Sequence, residues 1–491
     1  MSVDADTPRA DNDLLRSPEA GGHVIRGGAL RVGGYLAGTA LVAAASVLLL
    51  RHLGVIQFGR YVTVMSLVAI VSGVSDAGLT AVGARELALR DDPAERRRLV
   101  GNLVTLRLLL TPVGVWLAAM FALAAGYDST LVAGTLVAGA GLVLVNSQAT
   151  LIIPLAVELK NGRLALNELL RQFVTVVGIA ILALAGATLL PFFAVQVAVG
   201  VVLLALTPVI GGRRLFVKPR FDRAEARFLL REAIPIAVAL ALAQVYFRIL
   251  VIMLSLMATA RETGLFGTSY RIVEMLFMVP SVLFAVVLPV TTIAAGEDEG
   301  RLRYVLQRMS EVGLIASVYV AIAVAIVAEP VIRILGGEQY VDAAPALRIQ
   351  AFALIGFFLN QAWGTVLISI REQRRIAIAN AIALTVLVVL GLVLIPAWGI
   401  EGAATAAVIA DALLAGLLLL AIVSARRAIA PDLRFAWKVA VAGGLAAAAL
   451  VVPVSPWIQV VLATIAYAAV VAALRLTPPE VVDALPLRRR E

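Results

Sequence analysis

The sequence predicts an all-α polytopic membrane protein of about fourteen transmembrane helices, and three observations carry that prediction. Hydrophobic residues fill 61% of the 491 positions and charged residues only 15%, with a mean hydropathy of +0.98. Soluble domains run at about 45–50% apolar and about 25% charged, so this chain is built to be solvated by lipid. Apolar runs recur along the whole length, many of them about 20 residues long, which is the reach needed to cross a bilayer core. The cations sit in short clusters between alternate apolar runs, as the positive-inside rule requires of a chain that crosses repeatedly.

The spans read in order as 30–50, 61–83, 100–125, 130–156, 170–189, 191–211, 232–257, 265–290, 312–334, 346–369, 377–396, 401–424, 436–453 and 457–475. The fifth and sixth would join in a tight connection at Pro191. The basic connections are the tail to Arg31 and the segments 85–98, 158–171, 211–231, 301–308, 371–375 and 426–438, together with the C-terminus. They hold 33 of the 41 Lys and Arg. Both termini are therefore expected in the cytoplasm, which requires an even number of crossings. The first 29 residues are polar and mixed in charge, and read as a disordered cytoplasmic tail with no cleaved leader. The opposite connections are short, among them 126–130, 396–401 and 453–456, and none can form a domain.

Several functions are excluded by what the sequence lacks. The net charge of +9 is distributed as topology rather than along one amphipathic face, which argues against nucleic acid. Cysteine is absent, so no disulfide or thiol chemistry exists. Two histidines, His23 and His52, build no metal site. No Walker lysine loop is present, and no cofactor or enzymatic activity is expected.

An internal repeat divides the chain. Phe58-Gly59-Arg60-Tyr61 returns as Phe266-Gly267-Thr268-Ser269-Tyr270, and Arg163-Leu164-Ala165-Leu166 returns as Arg375-Ile376-Ala377-Ile378. The predicted organisation is an N-terminal six-helix lobe at 30–212, a C-terminal six-helix lobe at 213–425, an extra helix pair at 426–475 and a tail at 476–491. Parallel repeats about an axis normal to the membrane are a transporter plan.

The run Leu53-Gly54, Phe58-Gly59-Arg60-Tyr61, Asp76-Ala77-Gly78-Leu79 and Arg85-Glu86 resembles the opening of polysaccharide-type flippases, closest to those of O-antigen and exopolysaccharide. These belong to the multidrug, oligosaccharidyl-lipid and polysaccharide exporter superfamily. The resemblance implies two lobes in a V shape around a central cavity. That cavity would carry a polyprenyl-diphosphate-linked oligosaccharide from the inner to the outer leaflet of a bacterial inner membrane. It implies as partners the lipid-linked substrate, membrane lipid, and a polymerase and glycosyltransferases of the same pathway. Family members commonly have twelve spans and the lipid II flippases fourteen, so the extra pair leaves the subfamily open.

Such a substrate needs a hydrated, cationic route, because stripping water from a diphosphate is very costly. The first two spans of each predicted lobe carry polar stripes: Tyr35, Thr39 and Ser46; Ser72, Asp76 and Thr80; Gln244, Arg248 and Ser255; Arg271 and Glu274. Spacings of three, four and seven put each set on one helical face. Arg248, Arg271, Gln244, Tyr35 and Thr39 are the candidate cavity residues. Arg248 is the sharpest, since an intramembrane arginine marks function by default and its guanidinium grips phosphate oxygens bidentately. The competing reading is a packing salt bridge with Glu274 or Asp76. Arg271 lies a turn or so inside its predicted span, where snorkelling competes with ligand contact, and Arg107 reads as snorkelling or packing. Asp76 and Glu274 are candidates for ion coupling, against helix glue for the first and neutralisation of an arginine for the second. Asn146, Gln148, Asn360 and Gln361 read as interhelical hydrogen bonders or sugar contacts, and Asp411 is isolated.

The reading is a flippase for a polyprenyl-diphosphate-linked oligosaccharide working by alternating access. The alternatives are a flippase for a peptidoglycan or teichoic-acid precursor, a drug or cation exporter, and a membrane-embedded polysaccharide polymerase, which the short outer connections disfavour.

Overall fold

In lipid every backbone donor and acceptor must be satisfied within the chain, and the computed structural model answers with helices throughout. It describes residues 18–76, 78–474 and 476, and holds no strand among them. In order the helices are α1 (Pro18–Asp76), α2 (Leu79–Ala88), α3 (Pro93–Ala124), α4 (Ser129–Leu151), α5 (Ile153–Val157), α6 (Asn161–Leu184) and α7 (Leu189–Gly211). Then come α8 (Arg223–Met257), α9 (Ala260–Glu297), α10 (Glu299–Gly336), α11 (Ala344–Ala351), α12 (Ala353–Ser369), α13 (Gln373–Ala425), α14 (Ala436–Ala447) and α15 (Pro456–Ala473). Polar side chains in the connections start several of them. Asp92, Asp128, Asp222 and Asp298 cap α3, α4, α8 and α10, and Thr259 with Glu262 forms a reciprocal capping box on α9.

Among the described residues ten helices are long and apolar enough to cross a membrane, or twelve when each bent pair counts as one span. The bent pairs are α9, broken by 41° near residue 285, and α11 with α12, broken by 40°. Helix α13 has 53 residues, about 80 Å of helix, far beyond a core of about 30 Å. It reverses at Gly399, whose φ of 54° lies in the left-handed region that favours glycine. The two arms then close so tightly that a Cβ on Gly402 would sit 2.0 Å from the carbonyl of Leu394. Helix α1 reverses likewise at Gly54, φ 68°. Ser46 on its first arm and Val62 on its second both reach α9, at Arg271 and Gly267. These two hairpins bring the bundle to fourteen passes.

Several boundaries differ from the sequence reading. The second pass begins just after Gly54 rather than at 61, because the reversal needs one glycine and no loop, and it ends at Asp76 before the left-handed Gly78. The connection between α6 and α7 lies at Gly186, φ 67°, so Pro191 falls inside the first turn of α7, where its missing N–H costs nothing. Helix α1 begins at Pro18, inside the segment read as a disordered tail.

The passes pack as two lobes with a C-terminal pair. Helices α3, α4 and α7 pack on the second arm of α1 and α6 on its first arm, and α9, α10, α12 and α13 form the other group. Helix α1 also packs along both α8 and α9, so the two lobes meet through the arms of α1. The pair α14 and α15 lies on α10, held by Tyr467 Oη donating to the Ile315 carbonyl at 2.8 Å and by Tyr319 with Thr464 at 2.9 Å.

The lobes are closed against each other at both faces. On the face of the short turns, Gly59 and Gly264 cross so closely that a Cβ on either would lie 2.0–2.1 Å from a backbone carbonyl of the other helix. Tyr340 Oη donates to the Leu50 carbonyl at 3.0 Å and Arg51 to the Ile334 carbonyl at 2.7 Å. On the basic face Arg85 pairs with Glu232 at 2.9 Å and Arg90 with Glu225 at 2.5 Å. The Asp222 N–H donates to Asn102 Oδ1 at 2.7 Å, tying the start of α8 to α3.

Candidate functional site

At 1.5 Å per residue, Arg248 lies about 14 Å from the end of α8 on the face of the short turns, and Arg271 about 16 Å from that of α9. Ser46 lies about 12 Å below the reversal at Gly54. All three therefore stand near the middle of a core of about 30 Å, and they meet there. Arg248 Nη2 donates to Glu274 Oε1 at 2.5 Å, and Arg271 Nη1 donates to Glu274 Oε2 at 3.2 Å. Arg271 Nε donates to Ser46 Oγ at 3.3 Å. One carboxylate thus bridges two guanidiniums and leaves one net positive charge. Arg248 Nε has no hydrogen-bond partner.

The side chains of Arg248, Glu274 and Arg271 remain 22%, 29% and 39% exposed. Charges at this depth are tolerated only where they face a partner or water; these three face one another and remain partly exposed between α1, α8 and α9. Arg271 is three turns inside α9, not one, because α9 starts earlier than the sequence suggested. Its head is held at mid-depth by Ser46 and Glu274 and does not snorkel.

The other named residues are placed differently. Gln244 lies one turn closer to the basic face than Arg248 and packs on Gly73 of α1, where a Cβ would sit 2.2 Å from its Cγ. Ser255 bonds Tyr127 Oη at 2.5 Å. The side chains of Tyr35 and Thr39 lie outside the described residues. Asp76 stands at the end of α1, where Arg107 Nη2 pairs with it and also donates to Thr80 Oγ1 at 2.6 Å. Arg107 is buried, 3% exposed, and is a packing ion pair rather than a snorkelling side chain. Asp76 and Glu274, proposed together as ion-coupling sites, therefore belong to two separate clusters.

The amides expected between helices do bond across them. Gln148 donates to Asn167 at 2.8 Å, Asn146 to Ser75 at 3.2 Å, and Gln361 to Ser281 at 2.6 Å. Asp411, isolated in the sequence, accepts from Tyr246 Oη at 2.8 Å. Both line a small enclosed cavity with Gln350, whose amide makes no hydrogen bond although only 1% exposed. Nothing in the spacing around Gln350 distinguishes it; Asp411, a lone carboxylate in a long apolar run, was the one available signal. Among the described residues no group of three or more His, Cys, Asp and Glu could hold a metal ion.

A family model described as polysaccharide biosynthesis protein matches residues 24–293, more than half of the chain. The chain belongs to this family. A second model, MatE, matches residues 235–394. No curated protein sequence matches. Among solved structures, a lipid II flippase MurJ in an inward closed conformation superposes with a TM-score of 0.76 at 13% identity. It covers 92% of this chain and 99% of its own. An inward-facing multidrug resistance MATE transporter of the MOP superfamily gives 0.63 at 16% identity, over 80% of this chain and 95% of that one. A eukaryotic MATE transporter gives 0.55 at 15%, over 80% and 94%. The polysaccharide biosynthesis family member thus shares the two-lobe fold of these solved structures, with the arginine cluster where the first passes of the two lobes face each other.

Proposed function

We propose that this protein flips a polyprenyl-diphosphate-linked oligosaccharide from the inner to the outer leaflet of the bacterial inner membrane, for cell-surface polysaccharide synthesis. The observation that carries the reading is the partly exposed Arg248–Glu274–Arg271 cluster at mid-membrane, with its net positive charge. Substrate sites of such repeat transporters lie near the midplane at the repeat interface. A diphosphate entering there would exchange water for two guanidiniums, each able to grip two oxygens. Glu274 holds both guanidiniums poised until the phosphates displace it.

The two faces would open alternately. Parting the Gly59–Gly264 crossing would release the head group outward, and parting the Arg85–Glu232 and Arg90–Glu225 pairs would admit it. The basic face, carrying the cationic connections, would be cytoplasmic, with both termini on that side. The polyprenyl tail would remain in lipid throughout.

A second reading is a flippase for a peptidoglycan-type lipid precursor. The match to a lipid II flippase over nearly all of both chains favours it. One reconstitution tests both. Proteoliposomes receive a polyprenyl-diphosphate oligosaccharide or lipid II on one leaflet, and its arrival on the other is read by a membrane-impermeant lectin or enzyme. Wild type should flip the first faster than the second, and Arg248→Ala should slow that flipping at least tenfold, about 1.4 kcal/mol of barrier. Flipping of neither lipid, or equal flipping by Arg248→Ala, rejects the proposal.

A further inference from the structure

A second cationic site lies far from the midplane, on the basic face. A groove there is walled by the start of α3, the end of α5 and the segment that joins α7 to α8. Arg96 and Arg97 come from the first two turns of α3, Glu158 follows α5, and Arg214 stands in a short 3₁₀ turn, Arg213–Leu215, of the joining segment. Glu158 draws three cations. Arg214 Nη2 lies 3.1 Å from it, Lys160 Nζ bonds it, and Arg96 Nη2 stands 4.0 Å away, beyond hydrogen-bond reach. The same Arg96 Nη2 is buried and has no hydrogen-bond partner. Arg97 has no ion pair among the described residues, and Asp91 is the other carboxylate at the rim.

The groove therefore holds three cations, Arg96, Arg97 and Arg214, against two carboxylates. One buried guanidinium nitrogen is unsatisfied, which is costly unless something accepts from it. Apolar side chains, Leu87, Val100 and Val217, complete the walls. We infer that this groove is a binding site for a phosphate group, distinct from the mid-membrane cluster. A phosphate oxygen accepting from Arg96 Nη2, with Arg97 and Arg214 on the others, would satisfy the lone donor and neutralise the excess charge. The phosphate has two sources: the head group of an anionic phospholipid at the membrane surface, as basic cytoplasmic-side pockets take, or a soluble phosphate or diphosphate. Either would pin the joining segment to α3, where the Arg220 N–H already donates to the Gly101 carbonyl at 3.2 Å.

The test uses the full chain in nanodiscs. Thermal stability is measured in phosphatidylcholine alone, with 20 mol% phosphatidylglycerol, and in phosphatidylcholine with inorganic pyrophosphate, at ~150 mM salt. Wild type should be stabilised by one of the two anions, and the double variant Arg96→Gln/Arg97→Gln should lose that increment. A response to phosphatidylglycerol names the lipid; a response to pyrophosphate names the soluble ligand. Glu158→Gln removes the competing carboxylate and should bind the same anion several-fold more tightly, a gain that no folding defect imitates. Equal stability with and without both anions, or increments unchanged in the double variant and in Glu158→Gln, overturns the site. Flipping is not read, so the outcome is independent of the transport proposal.

Discussion

The arginines of this bundle show how burial sorts identical side chains into different work. Arg107 and Arg248 both lie in apolar helices and both find a carboxylate. Arg107 is sealed, and removing it strands Asp76 near a low-dielectric interior. Breaking a buried pair by deleting one partner costs about 3–5 kcal/mol, much of which the double deletion restores. Thermal unfolding in detergent should therefore show Arg107→Ala strongly destabilised and Arg107→Ala with Asp76→Ala largely recovered. Arg248 is more open, and its loss leaves Glu274 still bonded to Arg271. Arg248→Ala is thus predicted to fold nearly as stably as wild type yet lose at least tenfold in flipping, about 1.4 kcal/mol of barrier. Arg248→Lys should recover only part of the rate, since an ammonium lacks the bidentate fork. The mid-membrane placement of Arg248 was legible in the sequence because a lone arginine in an apolar run stands out. Its bond to Glu274 was one of two pairings that spacing left open. Ser46 appeared only as one member of a stripe, because a contact between residues 225 apart follows from tertiary packing alone.

At the scale of elements, hydropathy located nearly every pass but misplaced the turn at Gly54 and the connection between α6 and α7. Gly54 and Gly399 reverse their helices without a polar loop, so no drop in hydropathy marked the second pass as starting early. The repeat was legible in Phe58-Gly59 and Phe266-Gly267, but that Gly59 meets Gly264 across the lobes was not, since a repeat says which segments correspond and not which touch. The crossing makes a sharp prediction. Gly264→Ala places a Cβ 2.1 Å from the Val55 carbonyl, which the closed arrangement cannot hold. Spin labels at Gln57→Cys and Gln339→Cys, in a chain with no native cysteine, should move apart in this variant and stay close in Gly296→Ala, where a Cβ meets open space. On the basic face, bonds from Lys160 and the charges of Arg214 and Arg96 hold the Glu158 carboxyl below its usual range. A depressed carboxylate stabilises the fold above its unfolded pKa of about 4.3 and loses that contribution as pH falls through the lower folded value. The stability gap between wild type and Glu158→Gln should be full at pH 7 and vanish in acid.

The whole molecule is two lobes latched at both faces around a charge at mid-depth. The proposed transport of a diphosphate would be sensitive to voltage, by about 2.3 kcal/mol per charge per 100 mV. In proteoliposomes a potential that is positive on the receiving side should accelerate flipping of the diphosphate lipid, and the reverse potential should slow it. The general plan, fourteen helices in two repeats, was readable because lipid permits so few solutions. The latches were not, because they join acids and bases far apart in the chain, such as Arg90 with Glu225. The most direct measurement of the central claim is water access at mid-membrane. With no cysteine in the native chain, Arg271→Cys offers a single thiol at the cluster. A charged methanethiosulfonate reagent should modify it in intact membranes, and the lipid-linked oligosaccharide should protect it. A thiol that stays unreactive until the protein is unfolded would show a dry bundle and contradict the account.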